Sequence, residues 1–259
     1  MTEHATGDDT GRRIKAVEKT CTILETLRER DGAGVSELAD AVGLSKATVH
    51  SHLATLVDNE FVVKRGDTYE ISLRFVDIGE YAKNGVDIYE IAAEETETLA
   101  AETGEVAQFM VEEHGRGVYL HKASGEKAIQ TASYTGDRKD LHCTALGKAI
   151  LSQLSADRVD EIVDRHGMPA RTENTITDRD ELFAELEAIR ERGVAFDDEE
   201  ILRGLRCIAA PIEHPKSDLP GAISVSGPTN RFKGDRFHEE LPETVRGAAN
   251  VIEVNATQV

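Results

Sequence analysis

The sequence predicts an α+β chain in two parts: a small helical module ending in a β-hairpin, then a larger domain of sheet with helices packed on it. Three observations carry that expectation. Residues Val35 to Glu60 (VSELADAVGLSKATVHSHLATLVDNE) contain two short apolar helical stripes parted by a glycine. Residues Phe61 to Ile71 alternate around an Arg-Gly-Asp tip. Beyond residue 102 the pattern runs strands, helices, strands, helix.

In the first module, Leu38, Ala39 and Val42 share one helical face, and Val49, Leu53 and Leu56 share another. Ala39 is small where the helices must touch, and Gly43 can take the positive φ of a sharp turn without a Cβ in the way. Ser45 precedes the second helix, where its hydroxyl can accept from an otherwise unpaired backbone N–H. A helix-turn-helix of this kind delivers its second helix into the DNA major groove. The residues expected at the groove are Ser45, Lys46, Thr48, His50 and Ser51, with Lys46 reaching guanine O6/N7 or a phosphate. His52 is expected to be partly buried. The hairpin that follows makes the module winged, and Lys64 and Arg65 beside its tip are assigned to phosphate contact. The plainer readings are an ordinary helical hairpin and a strand pair that only covers a core.

Around this motif, residues 1–11 are polar and expected to be disordered. Ile14 to Arg30 reads as a first helix with Val17, Cys21, Leu24 and Leu27 on its buried face. Arg12, Arg13, Lys15 and Lys19 make its start basic, suited to a DNA-facing arm or a solvated helix end. The DNA-binding domain is therefore placed at 12–79, a connecting helix at 80–101, and a second domain at 102–257. In that domain Glu105 to Glu113, Gly117 to Ala123 and Lys127 to Ser133 read as strands. Leu141 to Leu154, Ala156 to Arg165 and Arg179 to Arg192 read as helices, the last closed by Gly193. Cys207 to Ile212 and Gly221 to Val225 are apolar strands, and a final helix spans Arg236 to Val254 with Pro242 in its first turns.

The formal net charge of −19 is unevenly spread. Residues 1–84 carry 11 Lys and Arg against 15 Asp and Glu, or −4, while the remainder carries 19 against 34, or −15. The acidity thus lies away from the DNA-binding motif. Few lysines, many acids and no tryptophan suggest a salt-loving host, in which counterion release alone cannot supply DNA affinity. No apolar run approaches a membrane span and the start lacks a signal-peptide core, so a cytoplasmic protein is expected. Cys21, Cys143 and Cys207 are odd in number and scattered, which argues against a disulfide framework.

No catalytic arrangement emerges: there is no nucleophile elbow, Gly-rich phosphate loop or paired-His zinc motif, and no cofactor is expected. The runs Glu112-Glu113 and Asp197-Asp198-Glu199-Glu200 are read as solvated surface. His142, Cys143 and Cys207 leave open a metal- or redox-sensing alternative.

The order GVAFDDEE, GLRCIAAPI and GAISVSGP, with LHCTALGKAIL upstream, resembles the effector-binding half of the IclR family of transcription regulators. The segment AVEKTCTILETL…VSELADAVGLSKATVHSHLATLVDNEFV is similar to the same family's winged helix-turn-helix, so the resemblance spans Ile14 to Val254. It implies a GAF-like antiparallel-sheet effector domain, a homodimer or tetramer, and operator DNA as partner. It also implies a small-molecule pocket at Ala145, Leu146, Asp197, Cys207, Ser224 and Ser226. Ser224 and Ser226, two apart on one strand, project from one face. A helix starting near Thr144 offers N–H groups to an anion. The effector class expected is a hydroxy, sugar or aromatic acid, with Asp197 accepting from a ligand hydroxyl. Many relatives carry arginine where this chain has Ser51, which removes any inference about base preference. The competing readings are a sensor acting through Cys143 and Cys207, an enzyme-like domain fused to a DNA-binding module, and a ligand-free architectural protein.

Overall fold

Local turn chemistry fixes the first elements. In a computed structural model, the structure describes residues 13–213 and 219–257; the expectations for residues 1–11 and for Arg12 fall outside them. Two units divide between Ala82 and Lys83. In the first, α1 (Lys15–Glu29) is followed by α2 (Val35–Val42) and α3 (Lys46–Asp58). Glu37 accepts from Gly34 N–H at 2.9 Å and starts α2. Gly43 ends α2 with φ 67°, and Ser45 Oγ accepts from Thr48 N–H at 3.1 Å to start α3.

The expected face of α1 needs correction. Ile23 and Leu27 are its buried residues and Leu24 is half-buried, whereas Val17 is 56% exposed and Cys21 is exposed. Steps of three and four generate overlapping stripes on one helix, and the positions of α2 and α3 select among them. Ile23 and Leu27 join Leu38, Val49, Leu53 and Val62 in the core of this unit. The wing is β1 (Val62–Arg65) and β2 (Thr68–Ile71), antiparallel with Val62 opposite Ile71, and Gly66 takes φ 63° at its tip. Next, α4 (Arg74–Asn84) carries the chain past the division.

Residues 80–101 are not one connecting helix. They fall between α4 and α5 (Tyr89–Thr103), and α5 buries Ala92, Leu99 and Ala100 in the core of the second unit. The chain continues through β3 (Val106–Glu113), β4 (Arg116–Ser124) and β5 (Arg138–Lys139), then α6 (Ala145–Ser152), α7 (Ala156–His166) and α8 (Arg179–Arg192). It closes with β6 (Ala195–Asp198), β7 (Leu205–Ile212), β8 (Gly221–Pro228), a π-helical turn (Arg236–Glu240) and α9 (Leu241–Ala256).

Strand order β5-β4-β3-β8-β7-β6 makes a six-stranded sheet, antiparallel at every pairing. Alternation gives it two apolar faces. Phe109, Ile208, Ile223 and Val225 pack with α5 and α9, and Met110, Ala209 and Ala222 pack with α6, α7 and α8. The expected α+β architecture is present, with three local differences. Residues 127–133 are not a strand, the helix expected from Leu141 begins at Ala145, and β6 was not anticipated because its four residues end in a carboxylate run.

Candidate DNA-binding and effector sites

The start of α3 presents Lys46, His50 and Ser51 to solvent, while Val49 and Leu53 hold its other side in the core. Ser45 and Thr48 are engaged locally, their hydroxyls 2.8 Å apart, and Ser51 Oγ donates to the Ala47 carbonyl at 3.0 Å. His52 is half-buried and meets Thr20 Oγ1 through Nδ1 at 2.8 Å, so it ties α3 to α1. On the wing, Lys64 and Arg65 are both exposed. Lys64 Nζ stands 5.5 Å from the centre of the Tyr69 ring, and Arg65 pairs with Glu70 at 2.9 Å. An exposed pair of this kind is worth at most about 1 kcal/mol, so a phosphate can displace it. Arg13, Lys15 and Lys19 are exposed at the start of α1.

The second site is assembled by strand register. Asp197 on β6 lies opposite Cys207 on β7, which lies opposite Ser226 on β8. Period-two alternation turns all three toward α6, because the intervening Ile208 and Val225 pack with α5 and α9. Thr144 caps α6 by accepting from Gly147 N–H at 2.9 Å. A Cβ at position 147 would overlap the Leu141 carbonyl, so glycine lets the segment before α6 lie close to it. The amides of Ala145 and Leu146, in the first turn, have no partner within the helix.

A cavity of about 440 Å³ lies between this row and the start of α6. That is the size of small-ligand pockets. Of the residues expected there, Leu146, Asp197, Cys207 and Ser226 line it. Ala145 and Ser224 do not: Ala145 is in the core with Leu141 and Ile150, and Ser224 is wholly buried in the sheet between Gln108 and Ala209. Gln108 and Tyr119 also face the cavity and were not singled out from sequence, and Thr144, expected as the start of the helix, lines it too. The segment expected as a strand at 127–133 forms another wall. Lys122 Nζ donates to the carbonyls of Thr131 and Ser133 at 3.1 and 2.7 Å, and Gln108 Nε2 donates to Ser133 Oγ at 2.9 Å.

The reading of the carboxylate runs as solvated holds for Glu113 and Asp198, which are exposed, and fails for their neighbours. Asp197 is 1% exposed, and Glu200 is also buried. Asp197 Oδ1 accepts from the N–H groups of Glu200 at 2.7 Å and Ile201 at 3.4 Å. Burial pushes the Asp197 carboxyl up to about 7, reinforced by the Glu200 carboxylate and opposed by those N–H bonds. Glu200 is raised by burial and lowered by Lys148, whose ammonium it contacts directly. Lys148 is 2% exposed and lies 3.7 Å from Glu185, which is paired in turn with Arg192 at 2.6 Å. The signal for Lys148 was present as the one charge within TALGKAIL. Burial drives the Cys207 thiol to about 12 and Cys143 to about 11, with Asp197 adding to both shifts. Glu112 is likewise buried; it accepts from Gly115 N–H at 2.6 Å and pairs with Arg158 at 3.1 Å, closing the β3–β4 turn. Among the described residues no group of three His, Cys, Asp or Glu side chains is arranged to hold a metal. None of their helices is long and apolar enough to cross a membrane.

Residues 16–66 match the IclR helix-turn-helix domain, and residues 81–254 match the family described as bacterial transcriptional regulator IclR C-terminal. The chain belongs to the IclR family. It is 34% identical to a probable HTH-type transcriptional regulator ArcR of Halobacterium salinarum, over 98% of both chains. It is 32% identical to the HTH-type transcriptional regulator KdgR of Escherichia coli, over 87% of each. A crystal structure of a putative transcriptional regulator from Rhodococcus sp. RHA1 superposes with a TM-score of 0.81, 25% identity, and coverage of 95% of this chain and 99% of that one. An IclR homolog from Microbacterium hydrocarbonoxydans, solved in complex with 4-hydroxybenzoate, shares the fold with a TM-score of 0.81 at 19% identity, covering 94% and 100% of the two chains. The relatives of this IclR-family chain are regulators of transcription that bind DNA.

Proposed function

We propose that the regulator binds operator DNA through α3 and the β1–β2 wing, and that a small organic acid in the cavity beneath α6 changes that affinity. The observation that carries the second half is the cavity itself. It has a size for a hydroxy, sugar or aromatic acid, a Ser226 hydroxyl whose oxygen can accept from a ligand hydroxyl, and the first-turn amides of α6 to receive a carboxylate. The relative holding 4-hydroxybenzoate supports the same ligand class. Lys46 reads a base edge or a phosphate, and Lys64 and Arg65 contact phosphates. The regulator works as a homodimer or tetramer, and the ligand favours one arrangement of the assembled copies over another.

The test is a gel-shift titration on the DNA upstream of the chain's own gene, with footprinting to locate the operator. Lys46→Ala and Lys64→Ala should each weaken binding and lower the slope of log affinity against log salt by about 0.9 for each phosphate no longer neutralised. Both variants should keep the stabilisation that organic acids give the free protein in a thermal-shift screen. Unchanged DNA affinity in both would remove α3 and the wing from the interface.

The redox-sensing alternative is disfavoured by the raised thiols of Cys143 and Cys207, since thiolate is the reactive form.

A further inference from the structure

Two carboxylates meet one buried cation close to Asp197, which lines the cavity. Lys148 contacts Glu200 and Glu185, and Glu185 has Arg192 as well. Asp197 has no cation of its own, and the two hydrogen bonds it accepts both go to Oδ1. The charged and titratable groups facing it are Cys207 on β7, Tyr119 on β4, Cys143 ahead of α6, Lys148 on α6 and Glu200 on the turn after β6. Burial raises Cys207, Cys143 and Tyr119, so all three are neutral at physiological pH. The charges acting on Asp197 are thus the Glu200 carboxylate and the Lys148 ammonium that Glu200 already pairs, and a ligand carboxylate in the cavity that Asp197 lines would add a further negative charge. Like charges crowded into a buried site do not all ionise.

We propose that Glu200, fixed by Lys148, is a positioning residue that makes Asp197 hold its proton when a carboxylate occupies the cavity, so that an anionic effector binds together with one proton. This rests on the organic-acid reading of the cavity. It reverses the direction of the hydrogen bond expected from sequence: Asp197 donates to the ligand. The proton comes from solvent, forms the O–H bond of the Asp197 carboxyl, and returns to solvent when the ligand leaves and that bond breaks. Lys148 has a second part in the arrangement, since it anchors the turn whose amides at Glu200 and Ile201 hold Asp197 Oδ1. A group titrating at about 7 supports the same assignment.

The test has one arm without ligand and one with it. In the free protein, the carboxyl carbon resonance of Asp197, assigned by its loss in Asp197→Asn, is followed against pH. The expected midpoint is near 7, falling in Glu200→Gln because a like charge has gone. A midpoint near the ordinary 4, or one unmoved in Glu200→Gln, overturns the proposal. In the second arm, binding of 4-hydroxybenzoate and of gluconate is measured by calorimetry at pH 6 and pH 8. If the protonated form binds and titrates near 7, affinity is about tenfold weaker at pH 8. Asp197→Asn, a permanent stand-in for the protonated acid, should remove the pH dependence, which a merely structural role would not do. Equal affinity of the wild type at both pH values overturns the proposal while leaving the effector reading intact. If neither acid binds at either pH, the effector reading fails for those acids, and the carboxyl titration still decides the part played by Glu200.

Discussion

Ser226 donates its hydroxyl hydrogen bond to the sulfur of Cys207 at 3.0 Å, across the β7–β8 pair, inside the wall of the effector cavity. The bond holds the serine toward the thiol, and both groups are buried. With the thiol at about 12, Cys207 behaves in this wall as a small neutral side chain.

Thiol reactivity follows directly. Burial holds the Cys207 and Cys143 thiols in the neutral form at pH 8, whereas Cys21 is exposed. A disulfide reagent should therefore consume one thiol promptly in the native protein and the other two only on unfolding. The shift is upward, so the slow pair should gain reactivity as pH rises toward 11. Prompt reaction of all three at pH 8 would revive redox sensing.

Ser45 separates capping from DNA contact. Its hydroxyl accepts from Thr48 N–H, so Ser45→Ala should cost about 1 kcal/mol of stability, read by chemical denaturation. Ser45→Asp keeps a capping oxygen and should keep stability, yet its negative charge beside the groove should weaken operator binding several-fold. Equal loss of stability in both variants would mean that the cap is not what Ser45 supplies.

A second buried pair joins the residue just before β3 to the segment after β8. Glu105 is 0% exposed and receives two hydrogen bonds from Arg231 at 2.7 and 2.6 Å, while the Arg231 side chain is one-third exposed. Removing one partner of a fully buried pair costs about 3–5 kcal/mol, and solvent access to Arg231 reduces the figure here. Arg231→Ala leaves an enclosed carboxylate with the longer Arg236 contact at 3.7 Å in place of two short hydrogen bonds, whereas Glu105→Ala leaves a guanidinium that reaches water. The arginine variant should thus be the less stable of the two in urea denaturation, and the opposite order would contradict this account.

Particular residues show what was legible in the sequence. Gly43, Ser45 and Gly66 announced their turns because each acts on backbone within a few residues of itself. The apolar runs of β7 and β8 were equally plain. The burial of Ile23 in place of Val17 and Cys21 was not, since α1 offers more than one apolar stripe and its neighbours choose among them. The segment 127–133 has the alternation of a strand, yet Lys122 and Gln108 hold it as a cavity wall.

Periodicity, caps and turn residues determined by themselves that this chain makes a winged helix-turn-helix and an α+β second half, and they located the start of α3 directly after Ser45. Those signals act over one or two turns of backbone, so they can be read in order along the chain. Which carboxylates are solvated and which are enclosed was decided only by the tertiary structure. Lys148 and Glu200 are 52 residues apart, and Asp197, Cys207 and Ser226 meet only through strand register. Burial and charge balance depend on everything within a few ångströms of a group, and separation along the chain carries no record of that.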